Sequence, residues 1–370
     1  MSSLEVKGIT KSYQKETVVD DVSFRVQSGD TLVLFGPSGA GKTVLLRTIA
    51  GLVEAEAGQV FINEQDMSDV EAEYRGIGMA FQNFALFPHM SAFDNIASPL
   101  TAGKNSDSVI KAGVEKVARL LKIDHVLGHA PRELSNGQKQ RTALARALAG
   151  SPPILLLDDP LRNVDAKLRF EMRLELPQLL KAQGATVIYV TQDYKEAMAL
   201  GNRIAVVNQG RIEQLGTPAD IYLTPASIDI ARLFGDPVIN LFDVVRKRDD
   251  QGGYVELSDQ RLPLADHQLD DIESTVILGI RPESLRFVPQ DTPGAIQLNI
   301  EAETPLNEKI VTLALTERGR EVLVSRPAGS SAPAKGKAYV MADAQSLLIF
   351  NKATGRLLSS SEMDKQEAAA

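Results

Sequence analysis

The sequence of 370 residues contains no cysteine and no tryptophan. The absence of cysteine excludes a disulfide framework, a thiolate metal site and a cysteine nucleophile. No apolar run approaches the roughly 18 residues that a membrane-spanning helix requires. The first residues, MSSLEVKGITKSY, also lack the basic and then apolar order of a secretory signal. We therefore expect the chain to be soluble by itself, so that any work at a membrane needs another subunit to supply the span.

An excess of positive charge is also missing. The chain carries 40 Lys and Arg against 48 Asp and Glu, for a formal net charge of −8, and neither its first 239 residues nor the remainder is basic. This balance argues against nucleic acid as a partner. The hydrophobic fraction of 44% is that of an ordinary globular protein, and the length predicts about two domains.

The first part of the chain alternates between strand-like and helix-like segments. Residues 31–35 are apolar and precede a glycine-rich turn, after which residues 44–52 have helical character. Residues 154–157 and 187–190 are unbroken apolar runs, as expected for parallel strands that are buried on both faces. This alternation predicts an α/β domain.

A helix is predicted between those two apolar runs, over residues 167–182. Four apolar residues at helical spacing share its predicted buried face: Leu168, Met172, Leu176 and Leu179. Pro177 falls inside the pattern and is expected to kink the helix or to split it in two.

The pattern changes after about residue 237. Residues 295–303 alternate strictly, with Ile296, Leu298, Ile300 and Ala302 on one predicted face. Short β-like runs, separated by residues typical of turns, recur at 275–280, 309–315, 321–325, 337–341 and 346–350. These features predict a small β-barrel. We expect residues 356–370 to form a disordered tail.

A phosphate-binding loop follows the first apolar strand. Residues 36–43, GPSGAGKT, match G-x-x-x-x-G-K-[ST] in full, with a strand before them and a helix after them. Backbone N–H groups of such a loop converge on phosphate oxygens, and Lys42 can reach the β- and γ-phosphates. The Thr43 hydroxyl can bind Mg²⁺. The predicted nucleotide-binding residues of this loop are Ser38, Gly39, Ala40, Gly41, Lys42 and Thr43.

An acidic residue ends the apolar run at 154–157. Asp158 is placed to hold the Mg²⁺ shell, because a carboxylate at the end of a buried strand downstream of a phosphate loop lies near that loop. Together the two motifs predict binding of a nucleoside triphosphate with Mg²⁺.

A third motif narrows the prediction to one family. Residues 134–138, LSNGQ, lie 23 residues before Asp158 and resemble the signature of ABC-transporter ATPases, which is usually LSGGQ. The resemblance extends over nearly the whole chain. It implies that Tyr13 stacks on adenine, that Gln82 is the Q-loop glutamine and a further Mg²⁺ contact, and that Asp165 is the acid of the D-loop.

The resemblance also implies the fold and the partners. Residues 216–242 and 279–283 are similar to ATPase subunits of carbohydrate importers of the maltose and glycerol-phosphate type. The implied fold is an α/β P-loop ABC ATPase domain with a helical subdomain at residues 1–235, followed by a β-rich, OB-like (TOBE) domain at 236–355. Partners would be two membrane permease subunits, a second ATPase subunit and, indirectly, an extracytoplasmic solute-binding protein. The location would be peripheral, at the cytoplasmic face of the inner or plasma membrane.

Members of this family pair head to tail. The resemblance implies that Ser135, Gly137 and Gln138 bind the ATP of the partner subunit, at the start of a helix whose dipole favours phosphate. It further implies that a permease helix docks near four apolar residues after Gln82: Phe84, Leu86, Phe87 and Met90.

Three residues depart from the family pattern. Asp159 stands where the catalytic Glu is usual, and it is shorter by one methylene, about 1.5 Å. Gln192 stands where His is usual, and it cannot carry a proton or a positive charge. Asn136 replaces a signature glycine. The resemblance gives Asp159, Gln192 and Gln82 as the catalytic positions. We expect Asp159 and Gln192 to impair hydrolysis, and the chain to be the degenerate member of a heterodimeric pair.

Alternatives remain at this point. The chain could be a slow but active homodimeric importer ATPase, or a nucleotide-gated subunit that does not hydrolyse ATP. An ABC ATPase of DNA maintenance is disfavoured, because only 53 residue steps separate Gln82 from Ser135, which leaves no room for a long coiled coil. A translation-factor ABC protein would hold two cassettes, whereas this sequence has one phosphate loop and one signature.

Overall fold

The computed structural model describes residues 2–250, 252–258, 260–264, 275–330 and 335–358. The chain separates into two compact units, Met1–Pro218 and Ala219–Ala370. Within those described ranges, no helix has the length and apolar character needed to span a membrane.

A six-stranded sheet forms the centre of the first unit. Its order is β10-β9-β3-β8-β7-β6, in which only the edge strand β10 runs antiparallel to its neighbour. The strands are β3 (Thr31–Phe35), β6 (Ile77–Ala80), β7 (Ile154–Asp158), β8 (Thr186–Thr191), β9 (Arg203–Asn208) and β10 (Arg211–Gly216). Every residue of β3, β7 and β8 is buried, as the unbroken apolar runs predicted.

A smaller antiparallel sheet of order β2-β1-β4-β5 shares a hydrophobic core with this sheet. Its strands are β1 (Leu4–Tyr13), β2 (Glu16–Val26), β4 (Ala57–Ile62) and β5 (Gln65–Asp66). The core includes residues of β1, β2, β3 and the helix that follows the phosphate loop.

Six helices belong to the first unit. They are α1 (Lys42–Ile49), α2 (Ala92–Ala102), α3 (Asp107–Leu120), α4 (Asn136–Ala149), α5 (Ala166–Gln183) and α6 (Tyr194–Leu200). Helices α2, α3 and α4 pack on one another and form the helical subdomain that the resemblance implied. The carboxyl ends of β3 and β7 lead directly to the phosphate loop and to Asp158.

Helix α5 differs from its prediction in two respects. The helix is unbroken through Pro177, because burial of Leu176 and Leu180 on either side offsets the missing backbone hydrogen bond. The fourth buried residue is Leu180 rather than the predicted Leu179, which is half-buried. The spacing of four from Leu176 keeps Leu180 on the face that packs inward.

The second unit is β-rich, as predicted, and two short helices, α7 (Pro218–Leu223) and α8 (Ile228–Leu233), precede its strands. Within its described residues, two five-stranded antiparallel sheets enclose one hydrophobic core, in the orders β13-β12-β11-β14-β20 and β15-β19-β16-β17-β18. The strands are β11 (Asn240–Asp249), β12 (Gly252–Leu257), β13 (Gln260–Pro263), β14 (Thr275–Ile280), β15 (Arg286–Phe287), β16 (Ile296–Leu306), β17 (Lys309–Thr316), β18 (Glu321–Pro327), β19 (Gly336–Met341) and β20 (Leu347–Asn351).

The strict alternation predicted for residues 295–303 ends before Ala302. Ile296, Leu298 and Ile300 are buried, whereas Ala302 is exposed. The register of β16 against β17 shifts between Ile300 and Ala302, and such a bulge turns the following residues to the other face.

The division between the units differs from the prediction. The predicted boundary was residue 235, whereas the compact units divide after Pro218. Arg281 explains the difference: its Nη1 donates to Phe234 O at 2.6 Å, its Nε donates to Tyr222 O at 3.2 Å, and its guanidinium lies 3.6 Å from the centre of the Tyr222 ring. The residues of α7 and α8 are thereby held to the β-rich unit.

The start of the predicted tail is also structured. Arg356 pairs with Ser227 and Leu357 pairs with Phe350 in isolated β-bridges. These contacts bring residues 356–358 into the second unit. The rest of the predicted tail, residues 359–370, lies outside the described residues.

Candidate functional site

The phosphate loop connects β3 to α1 and contains the glycines that its shape demands. A Cβ on Gly36 would lie 2.0 Å from Val207 O, and one on Gly41 would lie 2.3 Å from Val18 O, with φ values of 158° and 93°. Gly41 directly precedes α1, and no side chain caps this helix end. The N–H groups of the first turn are therefore available to a bound anion.

Lys42 is buried within the loop. Its Nζ donates to Gly36 O and to Pro37 O, both at 2.7 Å. Burial lowers the pKa of Lys42, and the nearby Asp159 and Asp158 oppose this shift. The ammonium group thus lies where it can exchange two carbonyl partners for phosphate oxygens.

Asp158 and Thr43 meet at the end of β7. Thr43 Oγ1 donates to Asp158 Oδ1 at 3.0 Å, whereas Asp158 Oδ2 is buried and has no hydrogen-bond partner. Burial raises the pKa of Asp158. A buried carboxylate oxygen without a partner beside a hydroxyl and a phosphate loop fits Mg²⁺, which prefers hard oxygen ligands.

Asp159 occupies a left-handed backbone conformation, with φ of 50°. Its Oδ2 lies 3.8 Å from Nη1 of Arg162, an ion pair within the turn that follows β7. Burial raises the pKa of Asp159, and the Arg162 guanidinium opposes this shift. The negative charge of the Asp159 carboxylate is therefore paired with the positive charge of Arg162 in the same turn.

The structure brings most of the predicted site together around one cleft. Its lining includes the predicted residues Ser38, Gly39, Ala40, Gly41, Lys42, Thr43, Gln82, Asp158, Asp159 and Gln192. Val18 from β2 lines it as well, although no motif in the sequence marked this residue. Gln192 reaches the cleft because it follows the last residue of β8, the strand next to β7.

The remaining predicted residues do not line this cleft. Tyr13 ends β1 with its ring 46% exposed, and Nζ of Lys11 lies 5.6 Å from the ring centre. Ser135, Gly137 and Gln138 lie at the start of α4.

The signature begins α4 through a capping box. Ser135 Oγ accepts from Gln138 N at 3.3 Å, and Gln138 Oε1 accepts from Ser135 N at 2.9 Å. Asn136 is the first residue of the helix and has no positive φ, so its replacement of glycine requires no unusual backbone.

Asp165 caps the next helix. Its Oδ1 accepts from Leu168 N at 3.0 Å in the first turn of α5, and this bond lowers the pKa of the exposed carboxylate. The predicted D-loop acid therefore has a structural contact of its own.

Two residues near Asp159 were missed by the sequence reasoning. Gln140 is 2% exposed, and its Nε2 donates to Asp159 O at 2.7 Å. Arg169 of α5 donates through Nη2 to Arg162 O and Val164 O, both at 3.0 Å, and its Nη1 lies 3.8 Å from Asp193 Oδ2. Gln140 lies two residues after the last residue of the signature, and that position was its only signal in the sequence.

The four apolar residues after Gln82 are not core. Phe84, Leu86 and Met90 are half-buried, and Phe87 is 42% exposed. Phe84 and Ala85 both have positive φ, and Arg146 of α4 fixes this turn: its Nη1 donates to Ala85 O at 2.9 Å and its guanidinium lies 5.3 Å from the Phe87 ring centre.

Asn95 holds the other side of that segment. The side chain is fully buried, accepts from Phe87 N at 2.8 Å, and donates to Phe87 O, Met90 O and Ser91 O. The hydrogen bonds from Asn95 and Arg146 thus hold in place the loop that carries these four apolar side chains.

Comparisons with known proteins agree with this geometry. The family model described as ABC transporter matches residues 19–162. The chain is 40% identical over 337 residues to the sn-glycerol-3-phosphate import ATP-binding protein of Pectobacterium atrosepticum, covering 91% of this chain and 93% of that protein. It is 38% identical over 377 residues to the trehalose/maltose import ATP-binding protein of Thermococcus litoralis, covering 97% and 100%.

A solved structure shows the same cassette fold. The ATP-binding cassette MJ0796, in a dimeric post-hydrolysis state bound to ADP and Pi, aligns with a TM-score of 0.55 at 30% identity and covers 58% of this chain and 98% of that chain. Members of this family bind ATP with Mg²⁺. On these grounds, the chain belongs to the ATP-binding subunits of ABC importers, in the carbohydrate-importer ATPase family.

Proposed function

We propose that this chain couples ATP binding and hydrolysis to the uptake of a sugar, a polyol or a related small solute, as the degenerate partner in a heterodimeric ATPase pair. The relatives named for import of sn-glycerol 3-phosphate and of trehalose and maltose support the solute class. The subunit would lie at the cytoplasmic face of the membrane, bound to two permease subunits. A solute-binding protein would deliver the solute from the other side.

The phosphate loop and the end of β7 would provide the nucleotide-binding residues. The loop N–H groups and the first turn of α1 bind phosphates, while Lys42 leaves Gly36 O and Pro37 O for the β- and γ-phosphates. Tyr13 would stack on adenine. Thr43, Asp158 and Gln82 would hold Mg²⁺, which neutralises phosphate charge when it is bound.

Hydrolysis at this site would be slow, and the position of Asp159 carries the proposal. A shorter carboxylate whose Oδ2 lies 3.8 Å from Arg162 is both withdrawn from the phosphate and engaged elsewhere. A misplacement of about 1 Å can lower the rate by about 100-fold. Gln192, which lines the same cleft, can donate a hydrogen bond but cannot transfer a proton.

The signature would still serve the partner. Ser135, Gly137 and Gln138 start a capped helix whose dipole favours a γ-phosphate supplied by the other subunit. Asp165 and its turn would lie at the same junction. One competent site would then combine the partner's phosphate loop with this chain's signature.

The segment after Gln82 is the proposed permease contact. Phe87 is exposed and held by Arg146 and Asn95, so a helix of the permease would meet a preformed apolar surface. Phe84, Leu86 and Met90 would extend that surface.

The experiment compares ATP turnover of the purified chain alone and with each ATPase subunit that assembles with it. We expect the chain alone to bind ATP but to hydrolyse it slowly, and the mixed assembly to be fast. Lys42→Ala in this chain should then reduce turnover of the mixed assembly far less than the matching change in the partner. Rapid hydrolysis by the isolated chain would instead identify the homodimeric ATPase. Full transport activity, with ATP bound but not hydrolysed at the site of this chain's own phosphate loop, would identify the nucleotide-gated subunit.

A further inference from the structure

The side chain of Gln140 connects the signature helix to the turn that carries Asp159. Gln140 lies in the second turn of α4 and is 2% exposed. Its Nε2 donates to Asp159 O at 2.7 Å, and its Oε1 accepts from Asn163 N at 2.7 Å. The nitrogen and the oxygen of the Gln140 side-chain amide therefore both form hydrogen bonds to the same turn, at Asp159 and at Asn163.

The backbone of Asp159 needs such support. A left-handed φ in a residue other than glycine is unfavourable and persists only where surrounding contacts impose it. Here Asp159 N donates to Val190 O at 3.0 Å, and Asp159 O also accepts from Arg162 N at 3.3 Å. Of the two partners of Asp159 O, Gln140 provides the shorter bond and the only one from another element.

The contact between α4 and the turn is close at a second point. A Cβ on Gly137 would lie 3.0 Å from Asn163 O, so the first turn of the helix lies directly against the turn. Gly137 is one of the residues proposed to bind the partner's nucleotide. A displacement of the signature helix therefore acts on the turn through both Gly137 and Gln140.

We propose that Gln140 is a positioning residue that fixes Asp159 relative to the signature helix. The helix proposed to bind one nucleotide then also sets the position of the carboxylate that acts on the other. This inference rests on the proposed function, because it takes Asp159 as the catalytic carboxylate.

The test uses three variants of the full chain. Gln140→Met keeps the length and removes the amide. Gln140→Glu keeps an acceptor for Asn163 N but places an oxygen against Asp159 O. The matched control is Gln183→Met, because Gln183 also binds α4, through Leu148 O at 3.2 Å, but contacts no residue of the turn.

Three quantities are measured on each variant: hydrogen exchange of residues 159–165, affinity for a fluorescent ATP analogue, and the single-turnover rate of ATP hydrolysis. We expect both Gln140 variants to exchange faster in this segment and to hydrolyse ATP about 10-fold more slowly or worse, with affinity within about twofold. Gln183→Met should match the wild type in all three. The rates are repeated with Asp159→Glu and Gln192→His present, where hydrolysis is expected to be faster.

Unchanged exchange at residues 159–165 would overturn the proposal without reference to activity. Faster exchange with an unchanged rate would overturn it as well, since the contact would then be structural only. A parallel loss of affinity and rate would show general damage to the cleft and would also count against it. If the isolated chain proves to be a fast homodimer, the heterodimer proposal fails while this comparison of variants stands.

Discussion

At the scale of single residues, the site depends on where two carboxylates point. One carboxylate oxygen of Asp158 accepts a hydrogen bond from Thr43, and the other is buried and has no hydrogen-bond partner. The carboxylate of Asp159 instead forms an ion pair with Arg162. The motif spacing predicted the first acid near the phosphate loop, because a strand end fixes it there. It could not predict the pairing of Asp159 with Arg162 or its bond from Gln140, since both depend on the backbone of a turn. Local sequence does not specify such a turn.

Reversal of two of the three departures from the family pattern, Asp159 and Gln192, is predicted to give a gain of function. Asp159→Glu with Gln192→His should raise the single-turnover rate by about 10- to 100-fold, because the carboxylate regains about 1.5 Å of reach and the strand end regains a group that titrates near neutral pH. Glutamate accepts a left-handed φ less readily than aspartate, so we expect a loss of up to about 1 kcal/mol in the free energy of unfolding. Each single change is the control. An unchanged rate in the double variant, with ATP still bound, would place the defect elsewhere.

At the scale of elements, the helix that carries the signature has two separable properties. Ser135 both caps α4 and is proposed to face a γ-phosphate. The sequence predicted that a helix starts at the signature but not its capping box, and it predicted the strands β14, β17, β18 and β19 to within two residues. The sequence did not predict the bulge in β16, since alternation carries no signal for one extra residue. The strands β11, β12 and β13 also lacked a clear pattern.

Substitutions of Ser135 should separate capping from phosphate binding. Ser135→Ala removes the cap and should lower the free energy of unfolding by about 1 kcal/mol. Ser135→Asp keeps a good cap but places a negative charge where the partner's phosphate is expected, so stability should be retained while ATP-dependent pairing of subunits is lost. Chemical denaturation and size-exclusion chromatography with ATP measure the two effects. Pairing by Ser135→Asp at the wild-type ATP concentration would contradict the proposed role of the signature.

At the scale of the whole molecule, the chain is two units with separate hydrophobic cores. Their existence was predictable from the change from mixed to alternating patterns. The point of division was not, because the helices α7 and α8 read as a continuation of the α/β unit. Arg281, whose burial lowers its pKa to about 10, and the apolar cluster that joins Ala231 to Leu348 and Phe350 show that these helices belong with the β-rich unit.

Fragments that begin on either side of these helices should differ in stability. A fragment of residues 219–370 retains Tyr222 O and Phe234 O as acceptors for Arg281, whereas a fragment of residues 236–370 loses both, together with the packing of Ala231 in the cluster of Leu348 and Phe350. We expect the longer fragment to be more stable by about 3–5 kcal/mol, from the lost hydrogen bonds and the lost apolar burial. Thermal unfolding followed by circular dichroism compares them, with Arg281→Met in the longer fragment as the control. Equal midpoints for the two fragments would favour the boundary at residue 235.

The left-handed backbone at Asp159 has a consequence for how this subunit can evolve. The conformation is held by bonds to the main chain of Asp159, so glutamate can adopt it there as well, at a cost of up to about 1 kcal/mol. Aspartate and glutamate codons differ only in their third base, as do glutamine and histidine codons. Two point mutations would thus convert residues 159 and 192 to the usual pair of the family without rebuilding the turn. A lineage could silence or restore this site repeatedly while it kept the same fold and the same partners.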